Sequence, residues 1–372
     1  MKSLTKENYR EIIPHLIESE TFLYGAGSTG IRVYDVLSAL GVPISGFVDD
    51  DPNKHGTFIC GKRVISFQEL EDKAKENEIN VILSSIYGNM LLRKIKAIPV
   101  VVYEVFEIYE EKYREELRRT LTLNMDTALW FKKIHKIKQA VYDSLSSEIL
   151  DVYAEYVQTC IPSYQNVASI ATDEDHYFIS YIKSAAKAVD PLTILDCGAY
   201  TGDMLWQLKS NKIRLHKLYA FEANPLVYKK LLGNILHMGL EKKVIPMNIA
   251  LWDKSTFLSF YADDNDSAGR VVMGEGERVR AERIDDIVDG KVDFIKMDIE
   301  GAELPALRGA QETILHNRPL LAISIYHSLD DVVNIPLYLM NLIPDYYWIV
   351  RHHSMIYAET VLYGVPNEKM IS

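Results

Sequence analysis

Four short segments hold the side chains that could do chemistry here, and each follows an apolar run. In Ile194–Asp203, ILDCGAYTGD, an acid (Asp196) precedes a turn carrying Gly198 and Gly202. Glycines let a backbone approach a ligand closely, and open α/β sheets bind ligands at the carboxyl ends of parallel strands. The spacing is not G-x-G-x-x-G, so this turn is not a dinucleotide fingerprint. The next run, Leu218–Phe221, ends in Glu222, an acid able to accept both hydroxyl hydrogens of a ribose. Asn224 stands ready to assist, although Asn-Pro is also a routine turn signal. NIALWD, Asn248–Asp253, is placed to sandwich an adenine, with Asn248 and, by backbone or shape alone, Ala250 at the ring edge. Finally Asp293–Met297 runs into DIEGAE, Asp298–Glu303. Four strand ends in order, each with a suitable polar group, describe an α/β enzyme with a nucleoside cofactor.

The acid on the second strand favours S-adenosylmethionine (SAM) over NAD. Asp196 then orients the turn and reaches the methionine amino group; a plain turn acid is the competing reading. The chain resembles the FkbM-type SAM-dependent methyltransferases in LDCGAYTGD (195–203), AFEANP (220–225), NIALWD (248–253) and FIKMDIEGAELPALRGA (294–310). LAISIYHS (321–328) and RHHSMIYAETVLYG (351–364) match as well, so the resemblance runs from about Ser144 to the C-terminus. It implies a seven-stranded Rossmann-like sheet and methyl transfer, usually to oxygen and often on sugars of natural products or surface glycans.

Methyl transfer needs an acceptor oxygen aligned with the methyl group, and a base for its proton. Asp298 ends its strand beside the expected methyl position, as cofactor ligand, acceptor ligand or base. Asp298 and Glu300 alternate, so they point apart if the strand continues; Glu300 and Glu303 share a face if a helix has begun. Glu303 also reads as an acid complementing a helix macrodipole. Three such acids could bind Mg²⁺, but the resemblance requires no metal and none is expected. His327 closes the next strand over the same rim and is the general-base candidate, a structural histidine being the alternative. FkbM-type relatives often carry an acid where this chain has Ser324, so a shared acid–His pair is in doubt. Asp298, His327 and Glu300 are the catalytic candidates.

The elements that position these residues suggest three regions: a small Rossmann-like domain (1–105), a helical connector (106–180) and the methyltransferase domain (181–372). The connector carries helical stripes at Phe106, Tyr109, Tyr113 and Leu117, at Trp130, Ile134, Ile137 and Val141, and at Ile149, Tyr153, Tyr156 and Cys160. Such stripes are packing faces far more often than cofactor sites. The last two strands, Tyr347–His352 and Glu359–Val365, should pair as an antiparallel hairpin at one sheet edge.

The first region has its own motif. GAGSTG, Gly25–Gly30, fits G-x-G-x-x-G after a strand, and Asp49 ends the next strand at the spacing of a ribose-binding acid. Gly25, Gly27, Gly30 and Asp49 thus outline a nucleotide site. YGAGSTG with GFVDDDPNKHGTFICGKRV resembles small domains beside sugar-modifying transferases, some of which bind a nucleotide-sugar. A structural or dimerising remnant and an NAD(P) site are the alternatives. The absence of a Tyr-x-x-x-Lys pair argues against redox chemistry of the short-chain kind.

With 372 residues, 48% hydrophobic and 25% charged, the chain suits two globular domains. A net charge of −11 argues against nucleic acid and anionic membranes as partners. Three cysteines without CxxC spacing fit a reducing compartment. No signal-like N-terminus and no spanning apolar run point to a cytoplasmic protein without stable membrane insertion. The sequon at Asn265 has no meaning in such a chain. The reading is an O-methyltransferase using SAM on a sugar hydroxyl, its acceptor a small molecule, glycan or nucleotide-sugar, with a homodimer possible. The rivals are a non-catalytic assembly protein on a degenerate methyltransferase sheet, and an NAD(P)-dependent sugar oxidoreductase using GAGSTG.

Overall fold

The computed structural model describes residues 2–3, 8–85, 87–104, 126–159, 163–262, 269–272 and 277–370. The chain divides into two compact units. The first comprises Met1–Thr122, Pro162–Asp173 and His353–Ala358; the second comprises Leu123–Ile161, Glu174–His352 and Glu359–Ser372.

The first unit strings together β1 (Lys2–Ser3), α1 (Tyr9–Glu18), β2 (Glu20–Tyr24), α2 (Ser28–Ala39), β3 (Gly46–Val48), β4 (Phe58–Ile59) and β5 (Lys62–Ile65). Then come α3 (Phe67–Ala74), β6 (Ile79–Leu83), α4 (Gly88–Ile95) and β7 (Val101–Glu104). The sheet order is β1-β7-β6-β2-β3-β5-β4, parallel except for β4 against β5. Phe22 and Tyr24 pack into one core and Leu23 into another. Burial on both faces is why β2 reads as a continuous apolar run. Order reverses between β2 and β6, which makes the carboxyl end of β2 a topological switch point.

The second unit starts with α5 (Thr127–Ala140) and α6 (Ser144–Thr159); α7 (Tyr164–Ile170) belongs to the first. It continues with α8 (Ser180–Val189), β8 (Leu192–Cys197), α9 (Asp203–Ser210), β9 (Leu215–Phe221), α10 (Pro225–His237) and β10 (Val244–Met247). A small sheet follows from β11 (Ala250–Leu251), β12 (Thr256–Ala262), β13 (Gly269–Val272) and β14 (Glu277–Glu282). The chain returns through α11 (Ile284–Ile287), β15 (Phe294–Met297), α12 (Glu303–Arg308), α13 (Gln311–Asn317), β16 (Leu320–Ser324), α14 (Leu329–Leu342), β17 (Tyr346–His352) and β18 (Thr360–Pro366).

Its main sheet has the order β10-β9-β8-β15-β16-β18-β17. The first five strands are parallel, and β17 and β18 form the expected antiparallel edge hairpin. All six residues of β8 are buried. Cys197 pairs with Phe221 on one side and Met297 on the other, so Gly198, Glu222 and Asp298 emerge on one edge.

Two arrangements differ from the sequence expectation. The strand before NIALWD stops at Met247; Ala250 and Leu251 join the four-stranded sheet instead. And α5 and α6 lie within the second unit rather than in a separate connector. Trp130, Ile134 and Ile137 are buried, and the Trp130 indole donates to Leu329 O (2.8 Å). Tyr153, on α6, is buried with its hydroxyl 2.7 Å from Thr360 Oγ1. An amphipathic stripe announces that a helix packs, but not on what. The stripe at Phe106–Leu117, Cys160 and the sequon lie outside the described residues. Among the described residues no helix is long and apolar enough to cross a membrane.

Candidate functional site

The turn after β8 is shaped by close approach of backbone to backbone. Gly198 has φ +79°, and a Cβ there would stand 1.8 Å from Asp298 O. Only glycine allows the ends of β8 and β15 to close this tightly. The Gly198 and Ala199 N–H groups donate to Phe221 O (3.0 and 2.8 Å), which fixes the turn's direction. Gly202, also left-handed, caps α9.

Beneath this turn lies a buried lysine that the sequence reading missed. Lys296 stands opposite Asp196 in the sheet register, with Nζ 3.1 Å from Asp196 Oδ1. The same ammonium donates to Gly198 O and reaches Cys197 O at 3.5 Å. Burial pulls the Lys296 pKa down, but Asp196 and Asp298 outweigh it and hold the group above its ordinary value. Burial raises the Asp196 pKa, with Lys296 countering in part. Asp196 is 1% exposed. The expected contact with a cofactor amino group is therefore corrected: Asp196 is the counter-ion of a lysine that braces the turn. A lysine inside an apolar strand, FIKMD, demands a buried acid, and that was the available signal.

Glu222 emerges at the neighbouring strand end. Its Oε2 accepts from Tyr200 N (3.0 Å) and its Oε1 from Asn224 N (2.8 Å). Burial raises its pKa, opposed by these two backbone donors. The side chain stays partly exposed, and a carboxylate oxygen pinned by one donor can accept another. Asn224 thus supports Glu222 through its backbone, while its side chain and the two adenine-edge candidates make other contacts. Asn224 Oδ1 caps α10 through Leu226 N and Val227 N. Asn248 Nδ2 donates to the carbonyls of Glu222 (2.7 Å) and Ala223 (3.1 Å), steadying the backbone that carries the acid. Ala250 is packed with Leu258 and Ala281 in the core of the small sheet. It is 4% exposed, which leaves its backbone or the shape it gives the pocket as the route to an adenine edge.

The third feature is an acid–imidazole cluster at the ends of β15 and β16. His327 Nε2 lies 3.4 Å from Asp298 Oδ1 and 3.5 Å from Glu300 Oε2; its Nδ1 lies 3.2 Å from Glu303 Oε1. Asp298 and Glu300 do not point apart. Glu300 has φ +58° and Gly301 +94°, and this left-handed turn brings both acids to one imidazole. Glu303 opens α12 but is fully buried, its Oε1 taking the Ile299 N–H (2.8 Å). It serves this cluster rather than a solvated helix end. It also supplies the acid partner that Ser324 does not. Burial pulls the His327 pKa down, yet Glu303, Asp298 and Glu300 outweigh it and lift it to about 10. With no cation bound, an imidazole so placed keeps its proton at neutral pH, so it can act as a base or a ligand only once that proton is displaced. Tyr177 donates to Asp298 Oδ2 (2.8 Å) and Tyr326 to Oδ1 (3.4 Å). The Tyr177 ring stacks on His176 and covers the Lys296 ammonium at 5.2 Å. No local pattern marks these two tyrosines.

Residues 196–346, which span all three features, match the family model described as the methyltransferase FkbM domain. This chain contains an FkbM methyltransferase domain. The likeness extends to the crystal structure of a methyltransferase FkbM from Methylobacillus flagellatus KT, at 18% identity and TM-score 0.52. It covers 97% of this chain and 94% of that one, and at this identity it concerns the fold. An rRNA methylase from Streptococcus thermophilus is similar at 16% identity and TM-score 0.34, over 53% of this chain and 98% of that one. A UDP-D-quinovosamine 4-dehydrogenase from Vibrio fischeri is similar at 21% identity and TM-score 0.22, over 26% of this chain and 85% of that one. No curated protein matches.

Outside the FkbM domain, Gly25–Gly27 links β2 to α2, and Gly30 lies in the first turn of that helix. Gly30 is required by packing: a Cβ would stand 2.0 Å from Gly25 O. A Cβ on Gly27, by contrast, would meet nothing within 4 Å. Asp49 faces this loop but is occupied. It accepts from Ala26 N (2.8 Å), Asp51 N (2.9 Å) and Lys54 Nζ (3.0 Å). Burial raises its pKa, and these donors more than reverse that. The expected ribose contact is thus corrected to a loop-holding role in this arrangement.

Proposed function

We propose that the second unit is a SAM-dependent O-methyltransferase acting on a hydroxyl of a sugar, either nucleotide-linked or part of a glycan or natural product. Glu222 carries the reading. Two backbone N–H groups hold its carboxylate at the strand end beside the Gly198 turn, as recognition of a ribose diol requires. The FkbM domain and its fold support the activity. The acidic rim of Asp298 and Glu300 suits a sulfonium and a hydroxylated acceptor. SAM, when bound, would supply the methyl group, and a carboxylate of this rim would take the proton of the acceptor hydroxyl. Lys296 and Gly198 keep the turn in place.

Isothermal titration with S-adenosylhomocysteine, followed by assay of labelled methyl transfer from SAM to nucleotide-sugars, tests this. Absence of S-adenosylhomocysteine binding removes the reading. Binding without transfer to any hydroxylated acceptor removes its sugar half. For the first unit we infer a nucleotide ligand at Gly25–Gly30, supported by the open space at Gly27 and by an α2 start without a capping side chain. Titration with UDP and with NADH distinguishes a sugar-nucleotide site from a redox site, and binding of neither rejects both.

A further inference from the structure

We propose that Asp298, Glu303 and His327 form a binding site for a divalent first-row cation of the Mn²⁺ or Zn²⁺ class. The proposal deepens the methyltransferase reading and rests on it for the ion's purpose, but not for its binding.

One ligand atom from each of the three residues lies within 4.8 Å of the others. The ring turns Nε2 toward Asp298 Oδ1 (3.4 Å) and Nδ1 toward Glu303 Oε1 (3.2 Å), and one ion takes only one of these nitrogens. One nitrogen and two carboxylates make a donor set that first-row divalent cations accept.

Burial supplies the second observation. His327 is 7% exposed and Glu303 is 0%. Neither ring nitrogen of His327 makes an aligned hydrogen bond, and Glu303 Oε2 has no hydrogen-bond partner. Buried polar atoms are nearly always satisfied, so the unbonded Glu303 Oε2 next to an imidazole without an aligned hydrogen bond points to a missing ligand. Outer contacts already orient the donors: Ile299 N–H on Glu303 Oε1 and the Tyr177 hydroxyl on Asp298 Oδ2. Ligating carboxylates characteristically have such support. The cluster is closed on the side of Glu303 and His327 and open on the side of Asp298 and Glu300. That leaves coordination positions for water or an acceptor hydroxyl, which a bound cation makes more acidic.

The test uses the full chain, stripped with EDTA and titrated with Mn²⁺ by electron paramagnetic resonance. One Mn²⁺ per chain is expected, with affinity weakened roughly tenfold or more in His327→Gln and Glu303→Gln. Tryptophan fluorescence checks that each variant is folded. Asp298→Asn, at the exposed side, carries the same test if the buried variants unfold. No stoichiometric binding at millimolar Mn²⁺ or Zn²⁺, or equal affinity in folded variants, overturns the site. A parallel titration with S-adenosylhomocysteine separates the two readings. Nucleoside binding without metal binding rejects the cation site alone; metal binding without nucleoside binding keeps the site and rejects the methyltransferase.

Discussion

Replacing Lys296 by Met should destabilise the second unit in a pH-dependent way. Met fills similar volume but leaves Asp196 buried without its counter-ion, and the carbonyls of Cys197 and Gly198 lose a donor. Breaking one side of a buried pair typically costs about 3–5 kcal/mol. The cost has a ceiling, because Asp196 can take a proton instead. From an ordinary pKa of 3.8, holding it neutral at pH 7 costs about 1.36 kcal/mol per unit over about 3.2 units, or at most about 4.4 kcal/mol. At pH 5 the same product is about 1.6 kcal/mol. The raised native pKa means the variant is relieved below pH 4 and loses stability as pH rises toward that native value. Urea unfolding followed by tryptophan fluorescence reads this out, since Trp130, Trp206, Trp252 and Trp348 all belong to the second unit. Adding Asp196→Leu should recover most of the loss at every pH. A Lys296→Met penalty below about 1 kcal/mol at pH 7, or one that does not shrink at pH 5, would refute the pairing.

Three further outcomes follow from the geometry. Gly198→Ala meets Asp298 O at 1.8 Å and also strains a left-handed backbone, so it should cost more than about 2 kcal/mol; a melting temperature equal to wild type would contradict the close approach. Glu222→Gln, which loses a charged acceptor, should weaken S-adenosylhomocysteine binding by about 1.5–3 kcal/mol, roughly 10- to 150-fold, read by calorimetry. Burial raises the Asp143 pKa, but hydrogen bonds from Arg351 and Ser146 more than reverse this and hold it below 3.8. Its stabilisation is therefore present above pH 4 and lost as pH falls through the lowered native value. Asp143→Asn should flatten the acid limb of the unfolding curve and destabilise at pH 7 by about 2 kcal/mol, because the buried Arg351 loses its nearer carboxylate and is left with the longer Glu174 ion pair (3.4 Å) and its neutral acceptors, Ser146 Oγ and Val350 O.

Much of the site was legible because local chemistry is written between sequence neighbours. The apolar runs ending in Gly198, Glu222 and Asp298 specify strand, turn and exit point, and the register then lines those exits along one edge. The closing hairpin of Tyr346–His352 and Thr360–Pro366 was equally legible from two apolar strands close in sequence. What the sequence alone did not determine is which side chain meets which. Asp196 and Lys296 are neighbours only because β8 and β15 are adjacent in register. Glu303 finds His327 because the left-handed turn at Glu300 and Gly301 sets the first residue of α12 beside the loop that follows β16. Ala250 and Leu251 pair with Ala281 and Glu282 in the four-stranded sheet, some thirty residues along the chain. Turn chemistry and alternation act over a few residues; partners of a buried charge are chosen by topology, where desolvation admits only the arrangement that pairs them.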